Sequence, residues 1–198
     1  VLTSSGTDPY SASSAAVGAL KGPKHGGANL KVLEQLDYMK ANIKDWSDER
    51  EVAQLIRRII RKEASDRTGL VYGMGHAVYT LSDPRAVILR KTASEMAKGT
   101  EYEEQFNLLR AIERLTPDIF REETGAEKAL CANVDMYSGL CYRMLRIPEE
   151  LATALFAVSR MAGWCAHRFE EKLTGQRIIR PAYKAIHSQK TYVDIESR

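Results

Sequence analysis

Apolar residues in this chain recur at spacings of three and four, and almost nowhere at two. The pattern is clearest where Val52, Leu55, Ile56, Ile59 and Ile60 fall on one face of a 3.6-residue repeat. Ser47 is the expected N-cap there. Asp48 and Glu49 stand in the first turn and the helix is expected to end in Arg61 and Lys62, so charge opposes the helix dipole at both ends. Asp83 reads as a second N-cap with Pro84 at the first helical position. Val87, Ile88, Thr92 and Met96 are its expected core face and Gly99 its stop. Tyr102, Phe106, Leu109 and Ile112 mark a helix expected to end near Thr116-Pro117, and another is expected from Ala126 to about Leu145. Pro148-Glu149-Glu150 opens a long helix with the stripe Leu151, Leu155, Val158, Ala162, Cys165 and Phe169. Ser4 to Ser14 has the composition of a linker, Ala12 to Leu20 the small residues that permit close helix contact, and the tail after Pro181 no period. No segment alternates over the length of a strand. The fold class is therefore all-α.

With 44% apolar residues in 198, the chain can bury a real core. Its 29 Lys and Arg against 26 Asp and Glu give a net charge of only +3, spread along helices, which excludes the footprint of a nucleic-acid binder. A mild positive bias suits small anionic substrates. No run approaches the ~20 apolar residues that a membrane span needs. Cys131, Cys141 and Cys165 form no Cys-x-x-Cys pair and are odd in number. They are expected to be buried, reduced thiols of a cytoplasmic protein rather than a disulfide or a metal site. Val1 is not a starter methionine, and the chain is expected to begin inside a larger protein.

Three stretches carry acid–base side chains. His25 sits in Gly22-Pro23-Lys24-His25-Gly26-Gly27-Ala28-Asn29, at the expected start of a helix. Glycines there let a substrate approach the backbone, and the positive helix end disfavours an imidazolium. A neutral imidazole can donate a hydrogen bond to an enol oxygen. His76 follows Gly73-Met74-Gly75, whose glycines suggest a tight loop with exposed amides but lack the third glycine and preceding strand of a dinucleotide site. Asp135 lies in the apolar run Leu130 to Met136, where loss of water raises a carboxyl toward the range of a general base. Each has a plainer reading: a histidine in a capped turn, a structural loop histidine, and an ion pair of Asp135 with a nearby arginine such as Arg143. Arg160, on a helix apolar on more than one face, needs a carboxylate from the protein or from a ligand. Arg85 stands in a first turn, where the dipole prefers an acid, and Arg180 precedes Pro181 in a loose segment.

Gly-Pro-Lys-His-Gly-Gly-Ala-Asn, then Gly-Met-Gly-His-Ala-Val with Asp-Pro-Arg, then Asn-Val-Asp, in this order and on helices, closely resemble citrate synthase from about Ser4 to Pro181. The superfamily includes 2-methylcitrate synthase, which these motifs do not separate. The resemblance implies a citrate synthase-like fold made of a small helical domain plus C-terminal helices of the large domain. It implies that residues 1–26 are a remnant of the large domain, 27–146 the small domain and 147–198 the C-terminal part of the large domain, with hinges near Gly26-Gly27 and Ile147-Pro148.

It also implies an acyltransferase of the tricarboxylic acid cycle that condenses acetyl-CoA with oxaloacetate. Asp135 is then the base that removes a methyl proton, His25 the donor to the enol, and His76 the group that protonates the oxaloacetate carbonyl. Arg85, Arg160 and Arg180 clamp the carboxylates, Arg180 in the neighbouring subunit's site of a homodimer. Leu70, Val71, Tyr72, Gly73, Met74 and Gly75 form the loop that meets the CoA adenine. No cofactor or metal is implied, acetyl-CoA being a substrate, and neither nucleic acid nor membrane is a partner. Family chains are longer, with the difference before Val1, and carry a further oxaloacetate-binding histidine upstream, which residues 1–24 lack. Tyr79-Thr80-Leu81 stands where some members place a basic residue, implying different CoA phosphate contacts. This stretch alone is expected to be inactive. The alternatives are 2-methylcitrate synthase acting on propionyl-CoA and a non-catalytic helical scaffold.

Overall fold

A computed structural model describes residues 1–22, 25–127, 129–175, 177–182, 188 and 191–197. Pro23 and Lys24 of the first motif, and residues 183–187, 189–190 and 198 of the tail, lie outside the described residues. Among the described residues there are seven α-helices and no strand: α1 (Pro9–Leu20), α2 (Ala28–Asn42), α3 (Glu49–Ile60), α4 (Pro84–Ala97), α5 (Glu103–Thr124), α6 (Asp135–Met144) and α7 (Ala152–Thr174). The expected all-α class holds.

The chain divides into two compact units, one of residues 16–161 and one of residues 1–15 with 162–198. In the larger unit α3 packs on α5, and α6 packs on both α2 and α4. Its core gathers Val32, Leu36 and Met39 from α2, Val52, Ile56 and Ile59 from α3, Leu108, Leu109 and Ile112 from α5, and Met136, Tyr137 and Leu140 from α6. All five apolar residues expected to form the α3 core face are buried. Arg57 of α3 and Arg61, the C-cap residue just after it, reach Glu122 and Glu123 of α5, the second pair through two hydrogen bonds of 2.6 and 2.9 Å. In the smaller unit the Arg168 guanidinium donates to the Thr7 carbonyl at 2.9 Å, and the Ile179 amide to the Ser4 hydroxyl at 2.9 Å.

Several local expectations are corrected. The N-cap of α3 is Asp48, whose carboxylate accepts from the Arg50 amide, while Ser47 bonds Asp45. Helix α1 begins at Pro9, inside the stretch whose composition suggested a linker. Asp8 accepts from the Tyr10 and Ser11 amides there and closes the first turn. The buried face of α4 is Ala86, Ala93 and Ala97, whereas Ile88 is 66% exposed. Hydropathy favoured the larger side chains, but alanine packs where helices approach closely. Helix α5 continues through Pro117 to Thr124, although an interior proline removes one donor and crowds the carbonyl four residues before it. Buried Ile112, Thr116 and Ile119 anchor both sides of it. The apolar stripe of α7 is largely exposed, with Phe169 70% accessible, and Cys165 is exposed while Cys141 is buried.

Candidate active site

Helix α6 starts at Asp135, nine residues later than expected, and this delay builds the site. Residues 131–133 run extended and pair with the loop before His76. The Gly75 amide donates to the Cys131 carbonyl at 2.7 Å, the Asn133 amide to the Gly73 carbonyl at 2.9 Å, and the Asn133 side chain to the Gly75 carbonyl at 2.9 Å. A single antiparallel bridge joins Met74 to Ala132. Gly73 has φ +81°, and a Cβ there would lie 2.9 Å from the Met136 Cα, so both its conformation and its neighbour demand glycine. The pairing puts His76 and Asp135, 59 positions apart, on one wall. The Asn133 carboxamide also accepts from the Asp135 amide at 2.9 Å, an Asx turn that leads into α6 at the candidate carboxylate. The tight loop is as expected, but its amides are not all exposed. Those of Tyr72, Met74 and Gly75 are bonded within the protein.

The His76 ring is held by its own turn. Its Nδ1 accepts from the amides of Val78 and Tyr79 at 3.0 and 3.1 Å, so the neutral ring carries its proton on Nε2. The Tyr79 ring lies 4.8 Å from the imidazole, centre to centre. An Arg85 nitrogen sits 3.4 Å from Nε2. Arg85 is itself fixed by Asp83, a partner that sequence reasoning treated only as a cap. The Asp83 carboxylate is 1% exposed and accepts from the Arg85 Nε at 3.0 Å and from a terminal guanidinium nitrogen at 2.8 Å. Burial works against the Asp83 charge, but the Arg85 hydrogen bonds outweigh it and hold the carboxyl below its usual range. The same pairing raises Arg85.

His25 approaches from the other side, in a turn closed by its amide on the Gly22 carbonyl at 2.9 Å. The Thr153 hydroxyl donates to the Gly26 carbonyl at 2.7 Å, tying this turn to the start of α7. A Cβ on Gly26 would fall 2.3 Å from the Leu20 carbonyl oxygen, so glycine is obligatory beside the histidine. Arg160, two turns along α7 from Thr153, stacks on Phe156 at 5.2 Å and sits 3.4 Å from the His25 Nε2. Among the described residues it forms no ion pair. The plainer reading of Asp135 fails as well. Arg143 pairs instead with Asp37 at 2.9 and 2.5 Å and with Glu149 at 2.7 Å.

His25, His76, Arg85, Asp135 and Arg160 line one cavity of ≈ 380 Å³ in the larger unit, with Asn133 and Phe156 between them. Burial raises the Asp135 carboxyl above its usual value, and the nearby guanidinium charges of Arg85 and Arg160 only partly offset this. The N-terminus of α6 favours the anion too, yet loss of water prevails. Arg180 is an exposed residue of the smaller unit. In the expected CoA loop, Leu70 is exposed and Val71 buried.

Such a cavity defines an acid–base class. One carboxylate of raised proton affinity can take a proton from carbon, two imidazoles can serve oxygen atoms, and two guanidinia can orient an anion. A family model for the citrate synthase C-terminal domain matches residues 1–182. The chain is 37% identical over 181 residues to a citrate synthase of Synechocystis sp., covering 91% of this chain and 41% of that protein. It is 36% identical over 195 residues to a citrate synthase of Acidithiobacillus ferridurans, covering 97% and 46%. Among solved structures, the citrate synthase of Thermotoga maritima superposes with a TM-score of 0.74 at 30% identity, covering 100% of this chain and 49% of that one. The citrate synthase of Thermoplasma acidophilum, in a ternary complex with carboxymethyl coenzyme A and oxaloacetate, gives 0.73 at 32% identity, covering 99% and 48%. The chain belongs to the citrate synthase family, whose members are acyltransferases that form a carbon–carbon bond. It spans less than half the length of these relatives.

Proposed function

We propose that the full-length protein carrying this chain condenses acetyl-CoA with oxaloacetate to citrate and CoA. The observation that supports this best is the shared cavity of His25, His76 and Asp135 beside Arg85 and Arg160. Asp135 takes a proton from the thioester methyl group while His25 donates a hydrogen bond to the forming enol oxygen. The enol carbon attacks the ketone carbon of oxaloacetate, and the Nε2 proton of His76 passes to the ketone oxygen. Water then cleaves the resulting citryl thioester, releasing citrate and the CoA thiol. A single general acid or base contributes about 10²–10⁴-fold, so a weak carbon acid needs the base and the enol donor together. Arg85 and Arg160 hold the oxaloacetate carboxylates, and Arg180 completes the clamp in a neighbouring subunit of a homodimer. Leu70 to Gly75 receives the adenine end of CoA.

The domain division at residues 26–27 and 146–147, and the cytoplasm as location, belong to the same proposal. No described helix is long and apolar enough to cross a membrane. The relatives named above are citrate synthases, which favours the acetyl over the propionyl thioester. The test is the full-length protein assayed for CoA release from acetyl-CoA and from propionyl-CoA with oxaloacetate. Condensation with a higher kcat/KM for acetyl-CoA is expected, with Asp135→Asn lowering kcat at least 100-fold. No condensation, or an unchanged kcat in the variant, refutes the assignment.

A further inference from the structure

The loop from Leu70 to Gly75 is held from two sides. On one side residues 131–133 pair with Gly73 and Gly75, next to Asp135. On the other side stands Gln35 of α2. Its carboxamide is 4% exposed. The Gln35 Nε2 donates to the Leu70 carbonyl at 2.9 Å, and its Oε1 accepts from the Tyr72 amide at 3.0 Å. One buried amide therefore satisfies a carbonyl and an amide two residues apart, as a neighbouring strand would. The intervening Val71 is pinned into the core, and its carbonyl takes the Met74 amide at 3.2 Å. The Tyr72 hydroxyl is fixed in turn on the Asp66 carboxylate at 2.6 Å. An apolar side chain at 35 would fill the space equally well and leave both backbone groups unpaired. A glutamine among Val32, Leu33, Leu36 and Met39 on the buried face of α2 has no use in packing.

We infer that Gln35 is a positioning residue for the nucleotide end of the thioester substrate, acting through the backbone of Leu70 to Tyr72. This rests on the proposed function, because the loop's ligand is taken from it. The hydrogen bonds of the Gln35 carboxamide go to Leu70 and Tyr72, and Gln35 does not line the cavity proposed to handle oxaloacetate. Its contribution therefore belongs to thioester binding and not to bond formation.

The experiment uses the full-length protein and its Gln35→Met variant, similar in volume and helix preference, with thermal unfolding to confirm that both fold. Kinetics are measured with acetyl-CoA and with acetyl-pantetheine, which lacks the nucleotide. Oxaloacetate affinity is measured by calorimetry. For the variant, KM for acetyl-CoA should rise about tenfold, with kcat within twofold, KM for acetyl-pantetheine unchanged and oxaloacetate affinity unchanged. Hydrogen exchange at the Tyr72 amide should accelerate. Equal losses with both thioesters, a loss of oxaloacetate affinity, or an unaltered KM for acetyl-CoA each overturn the inference. A parent protein that does not condense the substrates overturns the proposed function instead. If Gln35→Met does not fold, Gln35→Asn, which keeps both the donor and the acceptor on a shorter arm, replaces the test. It should show the same selectivity between the two thioesters at a smaller amplitude, and equal effects on both again count against the inference.

Discussion

At the scale of single residues the cavity is a set of groups held in positions that water would relieve. Asp135 has the clearest cost. Burial raises its carboxyl, so the folded state holds that proton more tightly than the unfolded chain does. The sign follows: stability associated with Asp135 is greatest when pH lies below its unfolded value, and it declines as pH rises through the folded one. Asp135→Asn should therefore raise the unfolding temperature at neutral pH and lose that advantage on acidification. Thermal melts of parent and variant between pH 4 and 8 read this directly, and a variant less stable at pH 7 contradicts it. Asp83 behaves oppositely. Its carboxyl is lowered, and its contribution is present above the unfolded value and lost as pH falls through the folded one. The candidate residues were legible because histidine beside glycine and aspartate in an apolar run are unusual. Asp83 as the holder of Arg85, and Gln35, were not legible, since a cap and an interior polar residue have no pattern of their own.

At the scale of elements, the decisive feature is the pairing of two irregular segments. The loop through Gly73 and Gly75 and the stretch 131–133 share strand-like hydrogen bonds, and α6 cannot begin until that pairing ends. A helix read from Ala126 onward was reasonable by composition, and tertiary hydrogen bonding overrode it. Gly73→Ala should destabilise the chain by about 1–3 kcal/mol, through the left-handed backbone together with the approach to the Met136 Cα. Chemical denaturation checks this, and a loss below about 0.5 kcal/mol would show that the loop relaxes around the methyl group. The same contrast separates α3 from α4. Periodicity identified the α3 face because its residues are large, whereas in α4 the alanines that face the core carry little hydropathic weight.

For the whole molecule, a cavity shared by residues from the segments around 25, 76, 135 and 160 points to ordered use. In the proposed reaction oxaloacetate would fill the positive end between Arg85 and Arg160 and neutralise it before the thioester meets Asp135 and His25. Calorimetry on the full-length protein should detect oxaloacetate binding alone and a CoA analogue binding more tightly once oxaloacetate is present. Arg160→Leu should weaken oxaloacetate by roughly 10–100-fold, in line with the loss of about 1.5–3 kcal/mol for hydrogen bonds to a charged group. Equal affinity in parent and variant would return Arg160 to a packing role on Phe156. The order of residues alone determined the all-helical class and the family, and it nominated the acid–base groups, because helical period and motif chemistry are local in the chain. Only the tertiary structure decided where α6 starts, which arginine meets which carboxylate, and that the apolar stripe of α7 is left largely exposed. Those outcomes depend on contacts between segments tens to more than a hundred positions apart, where hydrogen bonding, desolvation and packing compete and no local pattern records the result.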